Sequence, residues 1–291
     1  MELPSAATKH RKSTYKKMNY SLTRRSVVVL FLLVLFCGTG AAQKDQASKP
    51  SPENSAKAEA VLNHAVAVLG GDAYLNIKTV VGRGLFTSFQ DGMSGLPARF
   101  VDYISYPDRE RTEFTSSGIR VIQANSGETG WLYDGATKSL SDQKGTQIDD
   151  FKRSMRTSVE NLLHGWWEKE NATLSYVGRR EAGVGRRNET VRLTYPNGLW
   201  IEYEFAAKEG VPAKVIYRTT KKKLDSDETE EMSEEDRLAK PITIDGITAP
   251  WVIDHFINGI QTSRVGYESI EYNTQLADAL FAKPTNMKSL K

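Results

Sequence analysis

"DGITAPWVIDHFINGIQTSRVGYESIEYN", residues 245–273, decides the fold. Two runs of branched and aromatic side chains flank Asn258-Gly259, a pair favoured at the tip of a two-residue hairpin turn. Apolar residues occupy both faces of each run, so neither face reads simply as the solvent side. Along the second run the apolar set passes from Val265 and Tyr267 to Ile270 and Tyr272. That change of phase predicts a β-bulge, and a bulge bends a sheet. The hairpin holds no group that would obviously do chemistry, and it reads as closing the sheet, one apolar face packed under helices beside a cavity and the other at a bent edge.

Most of the chain supplies partners of the same kind. "TVVGRGLFTSF", "ARFVDYISYP", "RERTEF", "GIRVIQAN" and "TGWLYDG", and later "TLSYVGRR", "ETVRLTYP", "GLWIEYEF" and "AKVIYRTT", are short runs rich in branched and aromatic residues between Gly, Pro, Asp and Ser clusters. With the hairpin this makes about eleven strands, and their short connections imply an antiparallel meander. Two helical patterns interrupt it. Val61, Leu62, Ala65, Val68 and Leu69 fall at helical spacing and end on Gly70-Gly71. Phe151, Met155, Val159, Leu162, Leu163 and Trp166 form one apolar stripe, read as a single helix that caps the sheet, with Asp149 and Asp150 at its N-terminal end. The acidic stretch within 225–236 follows a basic triplet and reads as a solvated loop.

Composition bounds the class. At 291 residues, 39% hydrophobic and 26% charged, the chain is an ordinary globular protein with ample core. Seven of its 39 Lys/Arg and one of its 36 acids lie within residues 1–43, leaving 32 basic against 35 acidic side chains in the body. A body of net −3 has no basic footprint for phosphates, which excludes nucleic acid as a partner class. The basic start runs into 11 unbroken apolar residues, Val27 to Cys37, followed by small residues to Ala42. This is the order of a secretory signal over residues 1–42, with Met18 as a second candidate start. Eleven helical residues span roughly 16 Å, against about 30 Å of hydrocarbon, which favours cleavage over a permanent membrane helix. The expected location is therefore the periplasm or cell envelope of a bacterium. A lipid-anchor box at Cys37 would need a small residue before it, where Phe36 stands. Residues 43–55 read as a polar, proline-bearing tether, and 56–291 as one domain.

The search for chemistry returns little. His64, His164 and His255 read as packing or surface residues, and nothing matches a zinc, calcium, dinucleotide or phosphate-loop motif. Ser141 and Lys144 form an isolated S-x-x-K in a turn region, and the sequons at Asn171 and Asn188 are read as chance. Glu202 and Glu204, alternating with Ile201, Tyr203 and Phe205, read as the solvent face of a strand. No cofactor, metal or catalytic set is expected.

The order of "AVLGGDAYLNIKTVVGRGLF", "GETGWLYDG", the helix ending in Trp166-Trp167 and the closing "DGITAPW…DALFAKP" resembles exported proteins of the lipoprotein-sorting-protein-like group. That group is related in fold to the periplasmic lipoprotein carrier and the outer-membrane lipoprotein receptor, and the resemblance covers roughly residues 56–285. It implies a mainly β fold, an unclosed antiparallel β-barrel of about eleven strands with helices over its concave face. It also implies a non-enzymatic function, the binding of lipid acyl chains or lipoproteins. Candidate lining residues are Phe100, Trp131, Leu162, Trp166, Trp200, Trp251 and Phe256. Two other readings stay open: an envelope sensor or scaffold gripping a protein segment, with the acidic stretch in its docking face, and an unrecognised hydrolase.

Overall fold

The computed structural model describes residues 50–222 and 228–290. The expected signal, Met18, Cys37, the first part of the tether and residues 223–227 lie outside the described residues. Fourteen strands form one antiparallel sheet: β1 (Thr79–Gln90), β2 (Met93–Ser94), β3 (Ala98–Ser105), β4 (Arg109–Ser116), β5 (Ile119–Ser126), β6 (Thr129–Asp134), β7 (Ser139–Asp142), β8 (Thr173–Glu181), β9 (Arg187–Thr194), β10 (Trp200–Ala206), β11 (Pro212–Lys222), β12 (Thr229–Ile244), β13 (Ile247–Ile257) and β14 (Ile260–Tyr272). The order is β7-β6-β5-β4-β3-β1-β14-β13-β12-β11-β10-β9-β8, with β2 paired only to β1. The two end strands do not meet, so the barrel is unclosed, as expected.

The hairpin of residues 245–273 turns at Asn258 (φ 50) and Gly259 (φ 79). Its place differs from the expectation that it closes the sheet at a bent edge. It sits in the middle of the order, where β14 pairs with β1, with six strands on one side (β1 to β7) and five on the other (β12 to β8). The bulge is where the sequence puts it: Arg83 faces Ser269 while Gly84 faces Tyr267, so Glu268 is the extra residue. Glycine is required at the bend, because a Cβ on Gly84 would lie 2.0 Å from the carbonyl oxygen of Gly266.

The strands missing from the sequence count are β2, β7 and β12. The first two are too short to show a period. The third is the acidic stretch, which from Thr229 onward is strand rather than loop, a correction with a clear electrostatic cause. Glu234 accepts from Tyr217 Oη at 2.9 Å and from Thr219, Glu231 pairs with Arg218, and Glu235 lies between Lys214 and Arg237. Cross-strand partners on β11 thus compensate charges that alone would favour solvation.

Helix α1 (Pro52–Leu69) starts inside the segment read as tether, with Ser51 as N-cap and Pro52 in its first turn. Asn54 on it binds the backbone N–H and C=O of Tyr176, at 2.8 Å each, and so occupies the free edge of β8. After α2 (Asp72–Leu75), the second helical pattern divides into α3 (Gly145–Thr157), α4 (Val159–Leu163) and a 3-10 turn over Trp166–Glu170, not one helix. The break is Ser158, whose backbone is extended (φ −64, ψ 149) and whose hydroxyl caps α4 by accepting from Asn161 N–H. The main core packs Ala65 and Leu69 of α1 and Leu162 and Leu163 of α4 against Val191, Leu193, Ile201, Tyr203, Phe205 and Val215 of the sheet.

The opposite face of β8–β10 is also covered, which corrects the reading of Glu202 and Glu204 as solvated. They are 3% and 4% exposed, beneath Arg180 and Arg192, and Asn188 Nδ2 donates to Glu204 at 2.8 Å. Strand alternation assigned the face correctly, but long arginine stems roof it over.

Replacing Gly84 with Ala should destabilise the protein by about 1–3 kcal/mol, the usual cost of overpacking. Thermal denaturation followed by circular dichroism would show the lowered midpoint, and an unchanged midpoint would contradict the close crossing of β1 and β14.

Candidate functional site

Register separates the two faces of the sheet, because directly opposed residues of an antiparallel pair share one. Starting from Val80 and Tyr272, which pack on the main core, the concave face continues through Gly82, Gly84 and Phe86 on β1 and Phe100, Asp102 and Ile104 on β3. It carries Glu110, Thr112 and Phe114 on β4, Val265 and Tyr267 on β14, Trp251, Ile253 and His255 on β13, and Glu234, Asp236 and Leu238 on β12. Helices α1, α2 and α4 cover this face over β8–β11 and beside β13. Over β1, β3, β4, β13 and β14 the apolar side chains Phe86, Ile104, Phe114, Trp251, Ile253 and Val265 are only half-buried. Half the concavity is thus filled by helices, and the other half is an apolar recess.

Four of the seven sequence-predicted residues lie on this side. Phe100 sits in the floor with Tyr267 and Phe114 at ring distances of 5.5 and 6.5 Å. Trp166 stacks on His164 at 4.7 Å and meets Tyr106 at 5.2 Å. Trp251 belongs to the concave row by alternation with Ile253. Leu162 is buried beneath α1 and borders a second recess, of 630 Å³, with Leu62, Val66, Leu75, Trp167 and Leu174.

The structure does not bring Trp131, Trp200 or Phe256 to the concave face. Trp131 Nε1 donates to the carbonyl of Phe281 at 2.8 Å, so that ring lies on the convex face under the C-terminal segment, with the Arg111 guanidinium 5.3 Å away. Trp200 lies under Arg192 and Arg218 at 4.9 and 5.5 Å, and Phe256 under Arg237 at 3.8 Å. Cation–π contacts let large rings sit outside, where hydrophobicity alone would not place them.

Sequence reasoning missed the polar members of the recess. Asp102 and Glu110 occupy adjacent strands, Asp102 directly opposite Thr112, whose hydroxyl donates to it at 2.8 Å. Glu160 of α4 stands one turn before His164. The period-two pattern of "FVDYISYPDRERTEF" already puts Asp102 and Glu110 on the face of Phe100 and Phe114. Burial raises Glu110 to about 8, helped by the charge of Asp102, and raises Asp102 itself to about 6 against the pull of the Thr112 bond. Burial also raises Glu160 and lowers His164. Toward β12, a second polar group joins His255 to Asp236 at 2.6 Å and to Glu234, with Arg153 and Asp150 of α3 and Tyr217 around it. Burial disfavours the charged His255 ring, but the hydrogen bond and charge of Asp236, with Glu234, outweigh it, and its net direction is up. Among the described residues no group of three or more His, Cys, Asp or Glu is arranged to hold a metal ion, and no helix is long and apolar enough to cross a membrane.

Against known proteins, no protein-family model and no curated protein matches the chain. Solved structures do. A DUF1329 family protein from Desulfovibrio piger superposes with a TM-score of 0.55 at 13% identity, over 81% of this chain and 98% of that one. A putative outer membrane lipoprotein-sorting protein domain from Vibrio parahaemolyticus gives 0.49 at 11%, over 78% and 97%. A LolA superfamily protein from Nitrosomonas europaea gives 0.49 at 12%, with the same coverage. At such identities the likeness is one of fold, and these neighbours include the group that the sequence resembles.

Both titrating groups predict the same pH response. Folded Glu110 and Asp102 hold their protons more tightly than the unfolded chain does, so their contribution is present below about pH 4 and is lost as pH rises through about 6 and then 8. The raised His255 contributes fully below its ordinary 6.5 and loses that contribution above its folded value. The melting temperature should therefore fall between pH 5 and pH 9, and Glu110→Gln and His255→Gln should each flatten the fall. A profile that both variants leave unchanged would refute these assignments.

Proposed function

We propose that this is an exported, non-enzymatic binding protein whose recess takes the acyl part of a lipid or lipoprotein. The observation that carries the reading is the uncovered half of the concave face, where Phe86, Ile104, Phe114, Trp251, Ile253 and Val265 converge half-buried around the Phe100 and Tyr267 rings. Monomeric proteins do not ordinarily leave such a contiguous concave apolar surface without a use. A buried acyl chain needs no catalytic group: at about 0.8 kcal/mol per CH₂, roughly 16 carbons gain about 12 kcal/mol before ordering costs. The resemblance of the sequence to lipoprotein-sorting proteins supports the same reading. The basic and apolar start of the chain supports export, with a place in lipoprotein traffic through the envelope.

Native mass spectrometry of the exported protein, purified from its own envelope without detergent, should show a mass increment that releases an acyl lipid on activation. Phe114→Asp and Ile253→Asp place a charge in the recess and should each weaken uptake of a fluorescent fatty acid at least about tenfold, since an unpaired carboxylate there opposes an apolar guest. A ligand-free mass together with unchanged uptake by both folded variants would abandon the recess as a lipid site. Co-purification of a protein segment instead would support the sensor reading.

A further inference from the structure

Strand alternation carries the concave face past the recess to one end of the sheet. Phe86 and Val265 are directly opposed, as are Ser88 and Ser263, His255 and Ser263, and Ile257 and Ile260, so these pairs follow one another along the concave face. Gln90 comes two residues after Ser88 and pairs with Met93, which puts Met93 on the same face. One polar row, Ser88, Ser263 and His255, therefore separates the recess from this end, and it is two residues deep, roughly 7 Å. Beyond that row the face is apolar again, at Met93, Ile257 and Ile260.

The outermost of these side chains stand in solvent. Leu96, in the connection from β2 to β3, is 82% exposed, Met93 71% and Ile260 63%. Among the described residues the only other large apolar side chain as exposed is Val184, in the β8–β9 connection at the opposite end of the sheet. Met93 and Ile260 lie on the two strands that flank the end of β1, two strand spacings or about 10 Å apart. Residues 90–97 and 258–261, the two turns with their flanks, hold one charged side chain in twelve, Asp91, in a chain that is 26% charged. A protruding lip that is apolar, poor in charge and next to an apolar recess is ill suited to water and well suited to the boundary between headgroups and acyl chains.

We propose that this end of the half-barrel docks on a lipid surface, with Met93, Leu96 and Ile260 entering the layer where headgroups meet acyl chains. The inference rests on the reading of the recess as an acyl cavity, which gives the lip a reason to face lipid. In that orientation the recess opens toward the bilayer across the polar row, and an acyl chain reaches Phe86, Val265 and Ile253 over the width of that row alone. Neither turn carries a basic residue, and the acids Glu230 and Glu231 stand on β12, one strand beyond β13. The attraction is therefore apolar rather than electrostatic, and it needs no anionic lipid.

Cosedimentation of the exported protein with phosphatidylcholine vesicles tests the lip. Binding should be unchanged by added salt. Met93→Asp, Leu96→Asp and Ile260→Asp together should weaken it at least about tenfold, whereas Val184→Asp should leave it as it is. All four side chains are exposed, so the variants should keep the fold, which circular dichroism checks. Uptake of a fluorescent fatty acid separates the lip from the recess: the triple variant should lose uptake from vesicles and keep uptake from dilute solution, while Phe114→Asp should bind vesicles and lose both. If the unaltered protein takes up fatty acid from solution but does not sediment with vesicles, or if the triple variant sediments equally well, the docking surface is wrong and the recess stands. Sedimentation that depends on the lip, without uptake from either source, would keep the docking surface and remove the recess. A dimer that the triple variant converts to monomer, with no vesicle binding, would assign the lip to a second copy of the chain and overturn the proposal.

Discussion

The pairing of β1 with β14 is the constraint from which the rest of the architecture follows. It joins strands almost 200 residues apart in sequence: Val80 meets Tyr272, and Ser88 meets Ser263. Without it the sheet would be two separate ladders with four edges, two of them long and apolar. The bulge at Glu268 and the glycines at 82, 84 and 266 bend this seam, and the bend turns a fourteen-stranded sheet into a half-barrel with an inside. Gly82 has a second use, because its missing side chain lets the Tyr267 ring lie flat against the seam. Long-range pairing of this kind also makes the fold slow to assemble, since loop closure precedes every contact it rewards.

The two faces answer charge with different groups. Outside, arginines neutralise Glu113, Glu202, Glu204 and Asp254, and their stems roof both the acids and the rings of Trp131, Trp200 and Phe256. Inside, Glu234 and Asp236 are answered by Tyr217 and His255, whereas Asp102 has the Thr112 hydroxyl and burial raises both it and Glu110. A neutral carboxylic acid is a tolerable neighbour for an apolar guest, whereas an arginine would carry a permanent charge into the recess.

Much of the fold was legible in the sequence because period-two alternation survives wherever a strand has one buried face. The hairpin, its Asn258-Gly259 turn and the bulge between Tyr267 and Ile270 are all visible as a change of phase. What failed were elements whose pattern depends on distant partners. The acidic residues of β12 look solvated until Arg218, Lys214 and Thr219 are set opposite them, and Ser158 breaks an apolar stripe that is otherwise continuous. For the site, alternation told which residues share a face but not which face is concave. Trp131, Trp200 and Phe256 are as large and apolar as Trp166 and Trp251, and only the arginines stacked on two of them and the tail over the third show that they lie outside. Asp102 and Glu110 share the alternation of Phe100 and Phe114, but an acid on a strand normally marks the wet side.

The division of the concave face into a filled half and an open half bears on how a guest would be held. Over β8–β11, α1 and α4 pack on the sheet, α4 is further tied by Asn161 Nδ2 to Tyr195 Oη at 2.9 Å, and α3 is tied by Tyr203 Oη to the Arg156 carbonyl at 3.1 Å. That half is a rigid wall. Glu160, His164 and Trp166 project from it or from its end, while Asp102, Glu110 and Phe114 stand on strands of the opposite half. On the proposed reading, a guest would meet strands already in place, so the burial of its apolar surface would be retained as affinity rather than spent on folding the site around it.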